Sequence, residues 1–209
     1  MASVLGTTLS RDRIATLCPE VGDVDAVLTQ LVHQQILAHQ SSRLSSEFGR
    51  YTFQQTMFRQ VAYATLSLRE RKKIHLAVVD SYGPEADLSP DHAAVLAQHL
   101  LDAIEAVPGD DDVPTLRTRA IDLLTQAATR SRALGLSDEA VEHLRGALEH
   151  ADDPLTRADL QATLAAALTD VGDYAEAAEL AQQATEAFDA VGDELARVAR
   201  GLDKARTFS

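Results

Sequence analysis

The second half of the chain is a succession of helical segments kept apart by breaks of only a few residues, and that spacing leaves few folds open. Apolar residues recur at helical intervals over 90–106, 114–134, 138–150, 154–170, 174–190 and 194–206. Pro108-Gly109-Asp110-Asp111-Asp112, Gly135, Asp152-Asp153-Pro154, Gly172 and Gly192 stand between them. Connections this short turn each helix back against the one before it, so an antiparallel helical array is expected. Ser89-Pro90-Asp91 opens it with a capping hydroxyl, a proline at the first helical position and a carboxylate in the first turn. Leu160, Leu164, Leu168 and Val171 make one buried stripe, and alanines on the adjacent faces admit helices on both sides.

An internal repeat is visible when 135–149 is laid over 172–186, an offset of 37 residues. Gly135/Gly172, Glu139/Glu176, Ala140/Ala177, Glu142/Glu179, Ala147/Ala184 and Glu149/Glu186 are six identities in 15 pairs. The segment Leu168 to Ala177 resembles the middle of a tetratricopeptide repeat, whose usual period is about 34 residues, so the array is expected to be TPR-like with a longer unit. Segment 194–206 reads as the first helix of a further repeat without its partner: either a cap, or the mark of a chain truncated at its C-terminus. In a truncated chain, apolar surface left open there would pair two copies as a homodimer.

Charge separates this array from what precedes it. Residues 1–82 carry nine Lys/Arg and seven Asp/Glu, a net of +2, whereas 83–209 carry ten and 25, a net of −15. With Tyr82-Gly83-Pro84 and Ser89-Pro90 at the change, the expected domains are 1–82 and 83–209. In the first, Ser10 is placed to cap a helix over 11–17. Val24, Val27, Leu28, Leu31, Val32 and Ile36 predict a helix over 23–37. A polar stretch containing Ser41, Ser42, Ser45, Ser46 and Gly49, then Tyr51-Thr52-Phe53, predicts a short two-stranded hairpin. Helical spacing resumes through Met57, Phe58, Val61, Ala62 and Leu66, and Ser67-Leu68-Arg69-Glu70 spells a capping box for a helix carrying Ile74, Ala77 and Val78. The fold class expected is therefore mainly α: a winged-helix-like module with a short hairpin, followed by the helical array.

Several function classes fall away on composition. The single cysteine, Cys18, excludes a disulfide framework, and no apolar run reaches the roughly 20 residues of a membrane helix, which reads as cytoplasmic. Six basic residues in 24 positions, Arg50, Arg59, Arg69, Arg71, Lys72 and Lys73, raise winged-helix DNA binding, but a net charge of −13 and their clustering around a capping box favour a solvated face or a contact with an acidic domain. His92 and His99, like His143 and His150, lie two turns apart, roughly 10 Å, too far to share a metal unaided. No metal site, phosphate loop or nucleophile elbow is expected, and no catalytic residue is assigned.

Tyr51 to Tyr63, continued by Leu66, Arg69, Glu70, Arg71 and Ile74-His75, resembles the region that follows the ATPase core in bacterial STAND or AAA-like signalling proteins. These include multidomain class III adenylate/guanylate cyclases and LuxR-type transcriptional regulators. Ala2 to Gly6 and Leu28-x-x-Leu31-Val32 resemble the start of that region, and Leu96-Ala97-Gln98-His99 a short motif after it. The resemblance implies a non-enzymatic regulatory and protein-interaction segment whose parent polypeptide carries ATPase and cyclase or regulator activity. ATP or ADP would bind the upstream domain, with Arg59, Arg69, Arg71, Lys72 and Lys73 as candidate interdomain contacts. A protein or ligand signal would reach the helical array. Gln55 occupies the position of a nucleotide-sensing histidine; an amide there can hydrogen-bond but cannot become cationic. The alternatives are a free-standing TPR-like adaptor and a winged-helix DNA-binding protein.

Overall fold

A computed structural model describes residues 2–4, 8–19, 21–40, 49–82 and 90–206, with the backbone alone over 193–206. The serine-rich turn at 41–46, the boundary segment 83–89 with its capping Ser89, and Leu5-Gly6 lie outside the described residues. Among the described residues the protein is mainly helical, with a small three-stranded antiparallel sheet. It divides into two compact units, Met1–Pro84 with Gln98–Val113 and Glu85–Ala97 with Pro114–Ser209. Beside an 82/83 division, the first unit runs two residues further and also takes in Gln98–Val113.

In the first unit a 3-10 turn, Ala2–Val4, precedes β1 (Thr8–Ser10), α1 (Arg11–Leu17), α2 (Val24–His33), β2 (Leu37–His39), β3 (Arg50–Phe53), α3 (Thr56–Ala64) and α4 (Leu68–Asp80). Ser10 caps α1 by accepting from the Arg13 amide, and Asp23 caps α2 through the Ala26 amide. The helix expected over 23–37 ends at His33. Gln35 turns the backbone with a φ of 59°, and Leu37 enters the sheet opposite Phe53. Ile36 and Leu37 fit a helical spacing as well as a strand, and pairing with β3 decides between them. The expected two-stranded hairpin gains a third strand: β3 is central, pairing with β2 and, through Leu9 opposite Tyr51, with β1. Three residues, Thr-Leu-Ser, are too few to signal a strand by alternation. Leu9, Ile14, Leu17, Cys18, Val24, Leu28, Leu37 and Val78 form one core cluster beneath this sheet. α4 begins with the expected capping box, Ser67 accepting from the Glu70 amide and Glu70 from the Ser67 amide.

The helix α5 (Pro90–Ala106) is followed by α6 (Val113–Ala133), α7 (Ser137–Glu149), α8 (Pro154–Val171) and α9 (Tyr174–Arg206). In the second unit α8 packs against both α7 and α9, and its Leu160, Leu164 and Leu168 are buried as the stripe predicts, while Val171 is exposed. Both repeat glycines end helices in the left-handed region, Gly135 at φ 77° and Gly172 at φ 86°. The following residue then donates back five positions, Leu136 to Ser131 and Asp173 to Leu168, a Schellman closure at each site. The paired alanines Ala140/Ala177 and Ala147/Ala184 are all buried, which is where a small residue lets helices approach. Arg132 with Asp170, Arg145 with Glu176 and Arg117 with Asp152 are ion pairs between segments of this unit.

The break expected at Gly192 is absent, and 174–206 is one helix. Glycine ends a helix when it takes a positive φ, as Gly172 does; Gly192, in the same Val-Gly-Asp triplet, does not. The two positions therefore respond oppositely to alanine. Gly172→Ala loses about 1 kcal/mol from strain at positive φ, whereas Gly192→Ala gains about 0.5–1 kcal/mol of helix propensity. Thermal unfolding of the two variants checks both signs.

Candidate functional site

The polar interior of the first unit is built by α4 and the segment 98–112. The buried face of α4 carries Ile74, Val78 and Val79, but also Lys72 and His75. A charge or an imidazole on a buried face needs partners, and the partners come from sequence far away. Lys72 Nζ donates to Asp110 Oδ2 at 2.7 Å and to Asp112 Oδ1 at 2.5 Å. Burial alone would push the ammonium down, but the two carboxylates outweigh it and hold Lys72 above the usual lysine range. Asp110 is correspondingly held below its usual range by the hydrogen bond from Lys72.

One turn further along α4, His75 is 2% exposed, and its Nδ1 lies 2.9 Å from Nδ1 of the buried His99 on α5. The same His75 nitrogen lies 3.6 Å from Asp102 Oδ2, and the ring's Nε2 is 3.2 Å from the Tyr63 hydroxyl. Gln98 donates to the other Asp102 oxygen at 2.8 Å, fixing the carboxylate. Burial pushes both imidazoles below the usual histidine range, so both are neutral at pH 7. Two neutral rings meeting through Nδ1 share one proton between them, and the Tyr63 hydroxyl completes the chain at His75 Nε2. Burial raises the Tyr63 pKa, keeping it a hydroxyl.

His75 and Asp102 form part of the wall of a cleft of about 370 Å³, with Ser3, Arg59, Tyr63, Arg71 and Glu105 around it. Arg71 donates to the carbonyls of Leu66 and Ala64 at the end of α3 and lies over the Tyr63 ring at 4.5 Å. A guanidinium at a helix C-terminus complements the dipole, and it holds Tyr63 where His75 needs it. Arg59 donates to the Ser3 carbonyl at 3.1 Å, while its Nε and the Ser3 hydroxyl are buried without a hydrogen-bond partner among the described residues.

Of the basic residues singled out from sequence, then, Arg59, Arg71 and Lys72 are engaged within the unit, and Arg69 and Lys73 are exposed. Gln55 sits exposed at the start of α3, and its side chain makes no capping hydrogen bond. The cluster of Tyr63, His75, His99 and Asp102 is not visible in histidine spacing along one helix, because its two rings belong to different helices. His99 pairs with His75, not with His92. The available signal was that Ile74-His75 and Leu96-Ala97-Gln98-His99 each put a histidine beside apolar positions of a buried helix face.

The chain matches no family model and no curated protein.

The ion pair sets an acid response. A depressed carboxyl contributes stability that is complete above its unfolded value, about pH 4, and fades as pH falls through the folded value. Lys72→Met removes the partner that depresses Asp110, so its acid unfolding, followed by circular dichroism, should show a shallower loss of stability below about pH 4 than the wild type.

Proposed function

We propose that this chain is a non-catalytic regulatory and protein-interaction segment of a larger bacterial STAND-type signalling ATPase, one whose effector is a class III nucleotide cyclase or a transcriptional regulator. The observation that carries the reading is the strand order β1-β3-β2 with α1 and α2 between β1 and β2. That connectivity fits a winged-helix reading and supports the resemblance in the stretch Tyr51 to His75. The paired Schellman closures 37 residues apart support a TPR-like array after it.

A winged helix used on DNA lays its second helix in the major groove. Here α2 has no lysine or arginine and exposes Asp25, Gln30 and His33, with Asp25 gripped by Arg11 at 2.7 and 2.9 Å. The surface fits a protein better. Met57 and Val61 on α3 are 58% and 59% exposed and border an apolar groove of about 470 Å³ with Leu31, Ile36 and Phe53. The nucleotide-binding domain of the same polypeptide is the partner this reading assigns to the groove. ATP or ADP binds that domain, and Arg69 and Lys73 remain for its acidic surface.

The native polypeptide decides the matter. An antibody raised to these residues should detect in source cells a species well above 22.5 kDa, with a phosphate-binding loop among the peptides upstream of Met1. A native species of 22.5 kDa overturns the reading in favour of a free-standing adaptor. Fluorescence anisotropy with duplex DNA at low salt should show no binding; binding that weakens with salt and on neutralising Arg69 and Lys73 would instead support a DNA reader.

A further inference from the structure

The His75–His99–Asp102 cluster has the composition and geometry of a cation site. Two imidazole nitrogens and a carboxylate oxygen lie within 4.8 Å of one another, and helices α4 and α5 supply all three. We propose that His75 Nδ1, His99 Nδ1 and a carboxylate oxygen of Asp102 bind a divalent transition cation of the zinc type, with the fourth position filled by water from the adjoining cleft. A His₂-carboxylate set with one open position is a ligand arrangement that zinc accepts readily.

The surroundings match those of ligating side chains. A metal-bound histidine is oriented by what its other nitrogen touches, and a ligating carboxylate by what holds its other oxygen. Tyr63 serves His75 in the first role at 3.2 Å, and Gln98 serves Asp102 in the second at 2.8 Å. Binding needs no net loss of a proton from the neutral pair. The proton between the rings leaves Nδ1 as one appears on Nε2 of the same imidazole. The cation then takes the place of the shared proton. Zinc–nitrogen bonds of about 2.0–2.1 Å at a tetrahedral angle set the two nitrogens about 3.3 Å apart, so the present 2.9 Å opens by a few tenths of an ångström.

The ion would join α4 to the second half of α5 inside the first unit. Because a water-filled position faces a cleft that also presents Arg59 and Arg71, the site would be exchangeable, not sealed like a structural zinc.

The whole chain, stripped with chelator and dialysed against zinc, should retain one zinc per molecule by elemental analysis. Cobalt in its place should give the intense visible absorption of a four-coordinate ion. Asp102→Asn, at a half-exposed position, should weaken zinc at least tenfold in chelator competition and abolish the cobalt spectrum while circular dichroism stays unchanged. His75→Gln and His99→Gln should do the same, and His92→Gln, at an exposed position, should not. Zinc retention well below one per molecule, a six-coordinate cobalt spectrum, or affinity unchanged in Asp102→Asn each overturns the proposal.

Discussion

The first unit depends on α4 burying polar groups. Of the apolar residues that α4 buries, Val78 joins the core cluster of the sheet, α1 and α2. Lys72 and His75 add a requirement, since an ammonium taken out of water without a partner costs several kcal/mol and an imidazole with unmet hydrogen bonds a few. The partners, His99, Asp102, Asp110 and Asp112, all lie between residues 98 and 112. That demand explains why Gln98–Val113 belongs with a unit whose other residues end near 84. Asp110 and Asp112, beside Pro108-Gly109 in the sequence, are the counterions of a distant lysine.

Tyr63 links this interior to α3. Its hydroxyl meets His75, its ring lies under Arg71, and Arg71 in turn closes the last carbonyls of α3. α3 itself has no fully buried residue, and Arg59 ties it to the 3-10 turn through the Ser3 carbonyl. The Met57–Val61 face of α3 stays open. The second unit works by different means. Its helices close through left-handed glycines and approach through alanines, with ion pairs at the margins.

Much of this organisation was legible in the residues because it is local. Helical spacing marks α5 to α8 to within a residue or two, Ser67 to Glu70 announces its own capping box, and Gly135 and Gly172 end helices as their repeat positions suggest. Reading failed where local signals were ambiguous or too short. Leu37 suits a helix until β3 pairs with it, Thr8–Ser10 is too brief to register, and Gly192 looks like Gly172 although it lacks the positive φ.

By itself, then, the sequence determined the helical character, the charge asymmetry, the caps and the repeat, because each rests on contacts within a few residues of chain. Tertiary structure alone decided the centre of the sheet, the membership of 98–113 and the meeting of His75 with His99. The first depends on backbone pairing of β3 with β1 and β2, and the other two on side chains 24 to 40 residues apart converging on one interior, where the requirement to satisfy every buried polar group outweighs what any single segment prefers.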